Sequence, residues 1–157
     1  MGLTLIALCG AVLLISDWNR RVKPTSKLPV ISVFQFSPRD LLNESVEGCL
    51  DSLAARGFKD GSGIVVRRFN ADADISVANS IASTIADSDS SMVVTISTPA
   101  LQVMAAANRR RQMTHLFGTV TDPYQSGVGI SRENPEARPP YLAGIGTFQP
   151  VKEVWRL

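Results

Sequence analysis

Two hydroxyl residues and a proline, Ser97-Thr98-Pro99, stand between an apolar stretch and the start of a predicted helix. The stretch 92–96 favours a buried strand, and proline is well suited to the first turn of a helix. The first N–H groups of a helix have no partner within it and lie at the positive end of its dipole. Hydroxyls beside the N–H groups of Ala100 and Leu101 therefore predict a seat for a small carboxylate or another anion.

Two further predicted strands also end in polar residues that could contact a ligand. Gln35-Phe36-Ser37 follows the first strand, and Thr121-Asp122-Pro123 follows the fourth. In a parallel sheet with helical crossovers, ligands bind outside the carboxyl ends of the strands, so Ser37, Thr98 and Asp122 are expected along one binding edge. Two of these have an alternative role: Thr98 as a plain helix cap, and Asp122 as a turn residue bonded to its own backbone.

Signatures of catalysis and of cofactor binding are absent from the sequence. His115 is the sole histidine, and its predicted place at the start of a strand lies opposite the anion seat, so it is no candidate general base there. There is no Gly-x-Gly-x-x-Gly after the first strand, no Walker lysine and no Gly-x-Ser-x-Gly. Cys9 and Cys49 fall in segments of different character, which argues against a disulfide or a metal pair. The sequence predicts no enzyme, no metal site and no cofactor.

Charge and composition indicate one ordinary domain rather than a nucleic-acid binder. The chain has 157 residues, of which 45% are hydrophobic, enough for a single buried core. Lysine and arginine outnumber the acidic residues by only 16 to 14, and apart from residues 109–111 the basic residues are scattered. We interpret that arginine triplet as the solvated end of a helix. Aromatic residues make up 6% and do not interleave with basic ones, so no nucleic-acid partner is predicted.

Predicted strands and helices alternate along most of the chain. Short runs rich in β-branched residues predict strands at 30–36, 63–69, 92–96, 116–120 and 141–145. Helices are predicted to begin at Ser37-Pro38, at Asp74 and at Pro99, the last running to about Arg111, with Ile75 on the inward side of the second. Together they predict an α/β fold with a flavodoxin-like parallel sheet and helices on both faces.

The N-terminal segment differs in character from the rest of the chain. Residues 3–15 are almost wholly apolar, about the length of a signal-peptide core and short for a full membrane span. Basic residues follow this run instead of preceding it, which by the positive-inside rule would hold the next domain in the cytoplasm. Residues 1–21 are predicted to be an export signal or membrane anchor, with a buried core helix as the alternative. Residues 22–29 are predicted to be a linker, and residues 30–157 an α/β lobe truncated at its C-terminus.

Five segments, in order along the chain, resemble one known family. They are VISVFQF (30–36), GFKDG (57–61), ISTPA (96–100), VTDP (120–123) and GIGTFQPV (144–151). Together they resemble the ABC transporter substrate-binding proteins of the tryptophan and tyrosine type, over roughly residues 28–157. Such proteins have two similar α/β lobes joined by a hinge, close on a small solute and dock on a membrane permease. The resemblance implies that this chain supplies the first lobe of a type I periplasmic binding protein, preceded by an apolar helix.

The resemblance also implies half of a binding cleft, built from the ends of the strands. Its ligand-binding residues would be Gln35, Phe36, Ser37, Ser97, Thr98, Ala100, Thr121 and Asp122. Thr98 and the N–H groups after it would take the carboxylate of the solute, with an aromatic amino acid as one candidate. The expected protein is the non-enzymatic, extracytoplasmic solute-binding component of an ABC importer, with a permease and the membrane as partners. The alternative is a membrane-tethered sensor or interaction domain, or a truncated remnant, that binds no solute.

Overall fold

The computed structural model describes residues 28–147 of the chain. In this part, five strands alternate with three α-helices and one short 3₁₀ helix. The strands are β1 (Val30–Gln35), β2 (Val65–Asn70), β3 (Met92–Ile96), β4 (Thr114–Val120) and β5 (Leu142–Gly146). The helices are α1 (Asp40–Ala55), α2 (Ile75–Asp87), α3 (Thr98–Ala107) and the 3₁₀ helix Pro135–Ala137. The predicted alternation of strands and helices is confirmed.

All five strands form one parallel sheet in the order β2-β1-β3-β4-β5. This is the flavodoxin-like order, and it confirms the predicted fold class. Gln35 at the end of β1 is paired with Asn70 on one side and with Ile96 on the other, and Ile96 is paired with Gly118 of β4. The strands therefore end side by side. We call the border formed by the residues at and just after these strand ends, up to the turn after Val120, the carboxyl edge.

The helices cover both faces of the sheet. Successive side chains of a strand point to opposite faces, and in β3 Val93 packs with α2 and α3 whereas Val94 packs with α1. The cluster shared with α2 and α3 includes Phe34, Ala78, Ala82, Ile85, Ala100 and Met104. The cluster shared with α1 includes Ile31, Val33, Leu42, Val46 and Ile96. Burying a large apolar side chain stabilises the fold by about 1.5–3 kcal/mol. The helices on both faces therefore fix the positions of the strands and of their ends.

Local residue types determine two of the helix ends. The carboxylate of Asp74 accepts hydrogen bonds from two N–H groups of the first turn of α2, at 2.6 and 3.1 Å, and Asp74 is the N-cap as predicted. After α1, Gly57 has a φ of +91°, and the N–H of Phe58 donates to the carbonyl of Leu53 at 3.0 Å. A left-handed residue in this position after a helix favours glycine.

Two predicted helix starts need correction. The N-cap of α1 is Arg39 and no side chain caps this helix, so the cap predicted at Ser37 is wrong. The carbonyl of Ser37 instead accepts a hydrogen bond from the side chain of Gln35, which keeps Ser37 in the loop. Ile75 opens α2 but is 53% exposed. The first buried residue of α2 is Ala78, one turn further along, because the first turn lies at the carboxyl edge and not over the sheet.

Arg111 stabilises the end of a neighbouring helix. Since α3 ends at Ala107, the arginine triplet lies beyond it, and the guanidinium of Arg111 donates to the carbonyls of Ala86 (2.9 Å), Ser88 and Ser90 (2.7 Å). These carbonyls lie at and just beyond the end of α2, where helical carbonyls lack partners and a positive charge is favourable. The prediction of a merely solvated terminus of α3 is therefore wrong for Arg111.

Predictions for the two ends of the chain lie outside the described residues. They concern the apolar segment 1–21, most of the linker 22–29 and the C-terminal end of the lobe 30–157. Within residues 28–147, no helix combines the length and the apolar character needed to cross a bilayer. The membrane or export segment and the domain boundaries therefore stay predictions.

Candidate functional site

Ser97 joins β3 to α3 in a strained backbone conformation. It is the N-cap of α3, with φ of 98° and ψ of 158°, a region almost confined to glycine. Such a conformation costs on the order of 1–3 kcal/mol and persists only where the surrounding structure enforces it. The N–H of Ser97 donates to the carbonyl of Gly118 (3.1 Å), and its carbonyl accepts from the N–H of Leu101 (3.1 Å). The predicted role of the Leu101 N–H as a donor to an anion is therefore wrong. Strain of this kind clusters at binding sites.

The hydroxyl of Ser97 is buried and has no hydrogen-bond partner within residues 28–147. Ser97 is only 8% exposed, and leaving a buried polar group unpaired costs roughly 1–3 kcal/mol. The N–H groups of Thr98 and Ala100 lie in the first turn of α3, where helix geometry provides no partner, and Pro99 has no N–H. One hydroxyl and two N–H groups thus lie together where the helix dipole favours negative charge.

The structure corrects the role of Thr98 as a helix cap. Thr98 is the first residue of α3, Ser97 occupies the N-cap position, and no side chain caps the helix. Pro99 predicts a helix whose N-cap is Thr98. The hydrogen bond from Ser97 to Gly118 holds Ser97 at the end of β3, so the helix begins one residue earlier. The hydroxyl of Thr98 is therefore not consumed by capping, and Thr98 remains partly exposed.

The predicted residues after β1 lie beside Ser97. Because the last residues of β1 and β3 are paired, Phe36 and Ser97 adjoin at the carboxyl edge. Nε2 of Gln35 donates to the carbonyl of Ser37 (3.1 Å) and to Oδ1 of Asn43 in α1 (2.9 Å). Phe36 packs against the apolar cluster beneath α2 and α3, and Ser37 is buried. The structure therefore brings the predicted residues of the first and third strands together.

Thr121 and Asp122 lie further along the carboxyl edge, after β4. Oδ1 of Asp122 accepts hydrogen bonds from the N–H groups of Tyr124 (3.0 Å) and Gln125 (3.3 Å). This is the turn role that the sequence left open for an aspartate before a proline. Thr121 is exposed. The fold thus uses one carboxylate oxygen of Asp122, and a ligand-binding role for either residue stays a prediction.

Backbone strain is concentrated along the same edge. Among residues 28–147, the residues other than glycine that have a positive φ are Asp72, Ala73, Ser97, Gln112 and Thr119. All of these except Gln112 lie at or just after the carboxyl end of a strand. Thr119 lies where β4 shifts its register against β5. Sequence reasoning missed this feature because serine, threonine and alanine carry no signal for such a backbone, and an aspartate is only a weak one.

Sequence reasoning also missed three residues whose hydrogen bonds stabilise the carboxyl edge, namely Asn43, Ser45 and Thr119. The hydroxyl of Thr119 donates to Oγ of Ser45 (2.9 Å), and the hydroxyl of Ser45 donates to the carbonyl of Leu41 (2.8 Å). Asn43 accepts from Gln35, as described above. Asn43 and Ser45 belong to the first two turns of α1, where polar residues beside an apolar stripe are too common to be diagnostic.

His115 belongs to the interior of the sheet and not to the carboxyl edge. It is fully buried in β4, and its Nε2 lies 2.9 Å from the hydroxyl oxygen of Thr95. Burial lowers the pKa of His115 to about 4, so the imidazole is neutral near pH 7. No group of three or more metal-ligating side chains occurs within residues 28–147. His115 is therefore not placed to act as a general base on a molecule at the carboxyl edge.

Residues 30–138 match the sequence profile of the ABC transporter substrate binding proteins. All eight predicted site residues lie within this match. The chain belongs to this family. It is also 31% identical, over 120 residues and 76% of its length, to a tyrosine-binding protein of Clostridioides difficile. The family resemblance read from the five sequence segments is confirmed.

Solved structures share the fold of this substrate-binding protein. A conserved domain protein from Vibrio cholerae superposes with a TM-score of 0.75 at 24% identity, over 83% of this chain and 42% of that chain. The ligand-free, open structure of a substrate-binding protein with adhesive properties from Clostridium difficile superposes with a TM-score of 0.73 at 28% identity and the same coverage. The architecture is therefore that of the type I periplasmic binding proteins.

The match covers only part of these relatives. The chain spans 34% of the length of the tyrosine-binding protein and 42% of each solved chain. A match of this extent is consistent with one lobe of a two-lobed protein.

A groove on this substrate-binding protein lies away from the predicted site residues. It has a volume of about 480 Å³ and lies between α3 and the loops that flank the 3₁₀ helix. Its lining includes Gln102, Arg109, Ser126, Gly129 and Tyr141, and none of the eight predicted site residues. The candidate site therefore does not coincide with this groove, and it rests on the strained and unpaired groups of the carboxyl edge.

Proposed function

We propose that the chain forms one wall of the solute-binding cleft of an ABC importer, and that this wall holds the carboxylate of a small solute such as an amino acid. The observation that carries the proposal is the hydroxyl of Ser97, buried without a partner in a strained N-cap at the start of α3. Native proteins retain such costly features mainly where they serve a function. A ligand that accepts from this hydroxyl would offset the cost.

A carboxylate suits the donors at the start of α3. It can accept hydrogen bonds from the hydroxyl of Ser97 and from the N–H groups of Thr98 and Ala100. Each hydrogen bond to a charged group contributes about 1.5–3 kcal/mol. The negative charge also interacts favourably with the positive end of the helix dipole. The same donors would bind a neutral solute much more weakly.

An amino acid, with an aromatic side chain as the leading candidate, is the proposed solute. The relative with 31% identity is named a tyrosine-binding protein. Phe36 adjoins Ser97 at the carboxyl edge and supplies apolar surface beside the donors. The remaining residues of the proposed wall are Gln35, Ser37, Thr121 and Asp122. A second wall would come from the rest of a longer protein, since the chain spans 42% of each solved relative.

The proposed role is binding without catalysis. The protein would hold its solute on the extracytoplasmic side of a membrane and deliver it to an ABC permease, with residues 1–21 as its anchor or export signal. A protease added to intact cells, or to spheroplasts if the cells have an outer membrane, is then expected to degrade the protein. Full protection, with a cytoplasmic control protein also protected, would contradict the proposed location.

Calorimetric titration of the complete protein with the twenty standard L-amino acids tests the proposed site. We expect at least one to bind, and we expect Ser97→Ala to weaken that binding about tenfold or more, because one hydrogen bond to the carboxylate is lost. Thr98→Val is expected to weaken it as well, since Thr98 keeps a free hydroxyl at the same helix start.

Matched controls come from the exposed side of α2. The hydroxyls of Ser80 and Thr84 bond to carbonyls one turn earlier in their own helix, so Ser80→Ala and Thr84→Val should leave the affinity unchanged. Unchanged affinity in Ser97→Ala would refute the anion seat. Failure of every amino acid to bind would favour the alternative of a tethered sensor or interaction domain.

A further inference from the structure

The side chain of Gln35 has only its acceptor atom left for a ligand. Nε2 donates to the carbonyl of Ser37 (3.1 Å) and to Oδ1 of Asn43 (2.9 Å). A carboxamide has two N–H donors and one oxygen with two lone pairs, so both of its hydrogens are used within the protein. The carbonyl of Ser37 can only accept, which determines which end of the amide faces it. Oε1 is therefore the end of Gln35 that can face a solute.

We infer that Asn43 is a positioning residue, which fixes Oε1 of Gln35 as the acceptor for the amino group of the solute. The inference rests on the proposed function, because it requires a solute with both a carboxylate and an amino group. Gln35 is paired with Ile96, the residue before Ser97, and neighbouring strands are about 4.8 Å apart. In the proposed arrangement, Oε1 would accept from the ammonium while the donors at the start of α3 hold the carboxylate. Asn43 acts through Gln35 and need not touch the solute.

The role of Asn43 follows from the freedom of a glutamine side chain. The last torsion of glutamine has a broad and roughly two-fold energy profile, so one hydrogen bond to the carbonyl of Ser37 restrains it poorly. A second bond, to Oδ1 of Asn43 on the rigid α1, holds the plane of the amide. Without Asn43, Oε1 would spend part of its time turned away from the ammonium. Preference for the amino group should therefore fall, whereas binding of the carboxylate should not.

The test compares an amino acid with its desamino counterpart. The complete protein is titrated with the amino acid that binds most tightly, and with the same molecule lacking the amino group. For L-tyrosine that molecule is 3-(4-hydroxyphenyl)propionate. We expect Asn43→Leu to reduce the ratio of the two affinities about tenfold, the scale of one weakened hydrogen bond to a charged group, with the desamino affinity within about twofold of the original. Asn43→Asp keeps an acceptor oxygen near Gln35 and is expected to restore most of the ratio.

Asn79→Leu is the matched control, because Asn79 is an exposed asparagine whose side chain donates only to a carbonyl of its own helix, that of Ile75 (2.8 Å). It should leave both affinities unchanged. An unchanged ratio in Asn43→Leu would overturn the inference, as would an equal loss of both affinities, which indicates a general structural role. These results are distinct from failure of the proposed function, in which the unaltered protein binds no amino acid and the inference falls with it.

Discussion

Two side-chain polar atoms within residues 28–147 are buried without a partner, and their surroundings differ. Oγ of Ser97 lies just beyond the end of β3, at the start of a helix and at the carboxyl edge of the sheet. Nδ1 of His115 lies inside the sheet, in β4. The other ring nitrogen of His115 contacts Thr95, which belongs to the neighbouring strand β3. The same kind of unpaired atom thus occurs at a predicted binding edge and in the interior.

The comparison shows how position decides what an unpaired atom means. The hydroxyl of Thr95 also donates to the carbonyl of Leu116 (3.4 Å), which favours the tautomer of His115 with the ring proton on Nε2 and a lone pair on Nδ1. The buried imidazole makes the stability of the fold sensitive to acid, because protonation of His115 would bury a charge. The hydroxyl of Ser97 has a proton to donate, in a field that favours anions. We propose that this proton is donated to a ligand.

The largest effect is expected from acid acting on His115. Its folded pKa of about 4 lies below the usual 6.5, so the unfolded chain binds the proton more readily. The contribution of the neutral His115 to the unfolding free energy is therefore fully present above about pH 7. It is lost as the pH falls from 6.5 to 4, and the loss is about 3 kcal/mol in total. In His115→Gln this contribution is absent. Urea unfolding of both proteins, followed by circular dichroism from pH 7.5 to 4, measures the difference.

The informative quantity is the difference in unfolding free energy between the two proteins at each pH. Other groups titrate alike in both and cancel from this difference. If the difference does not change between pH 7.5 and 4, the buried imidazole titrates as it does in the unfolded chain, and the contrast with Ser97 fails.

A smaller effect, of opposite sign, is expected at Ser97. Glycine adopts a positive φ without strain, and it removes the unpaired hydroxyl, so Ser97→Gly should raise the unfolding free energy by about 1 kcal/mol after the entropic cost of glycine. Affinity for the amino acid should fall in the same variant. Ser97→Ala, which keeps the backbone strain, should be less stable than Ser97→Gly. A destabilised Ser97→Gly would show that the serine side chain has a structural partner.

The smallest effect is expected at Asp122, whose Oδ1 already accepts two hydrogen bonds in the turn. An asparagine offers the same acceptor and favours the same turn, so Asp122→Asn should change the unfolding free energy by less than about 0.5 kcal/mol. The same variant separates two roles. Calorimetry should show unchanged affinity if Asp122 serves the turn alone, whereas a tenfold loss would place its charge against the solute.

The sequence predicts the ends of a strand accurately where polar residues lie on both sides of its apolar run. β3 was predicted residue for residue, as Met92–Ile96, because its apolar run lies between polar residues. β2 begins at Val65, two residues later than predicted. The N–H of Gly63 donates to the carbonyl of Lys59 (2.8 Å), so the residues before Val65 belong to a turn. Apolar character alone does not distinguish a buried turn residue from the first residue of a strand.

The sequence by itself determined the α/β class, the parallel sheet and the edge at which the polar residues gather, because hydrophobic periodicity and strand-end residues are local properties. Only the tertiary structure decided which polar groups at that edge are already used. The bond from Ser97 to Gly118 shifts the N-cap, and Asn43 takes up a hydrogen of Gln35. These bonds join residues from different elements. They depend on how the elements pack, which no local pattern records.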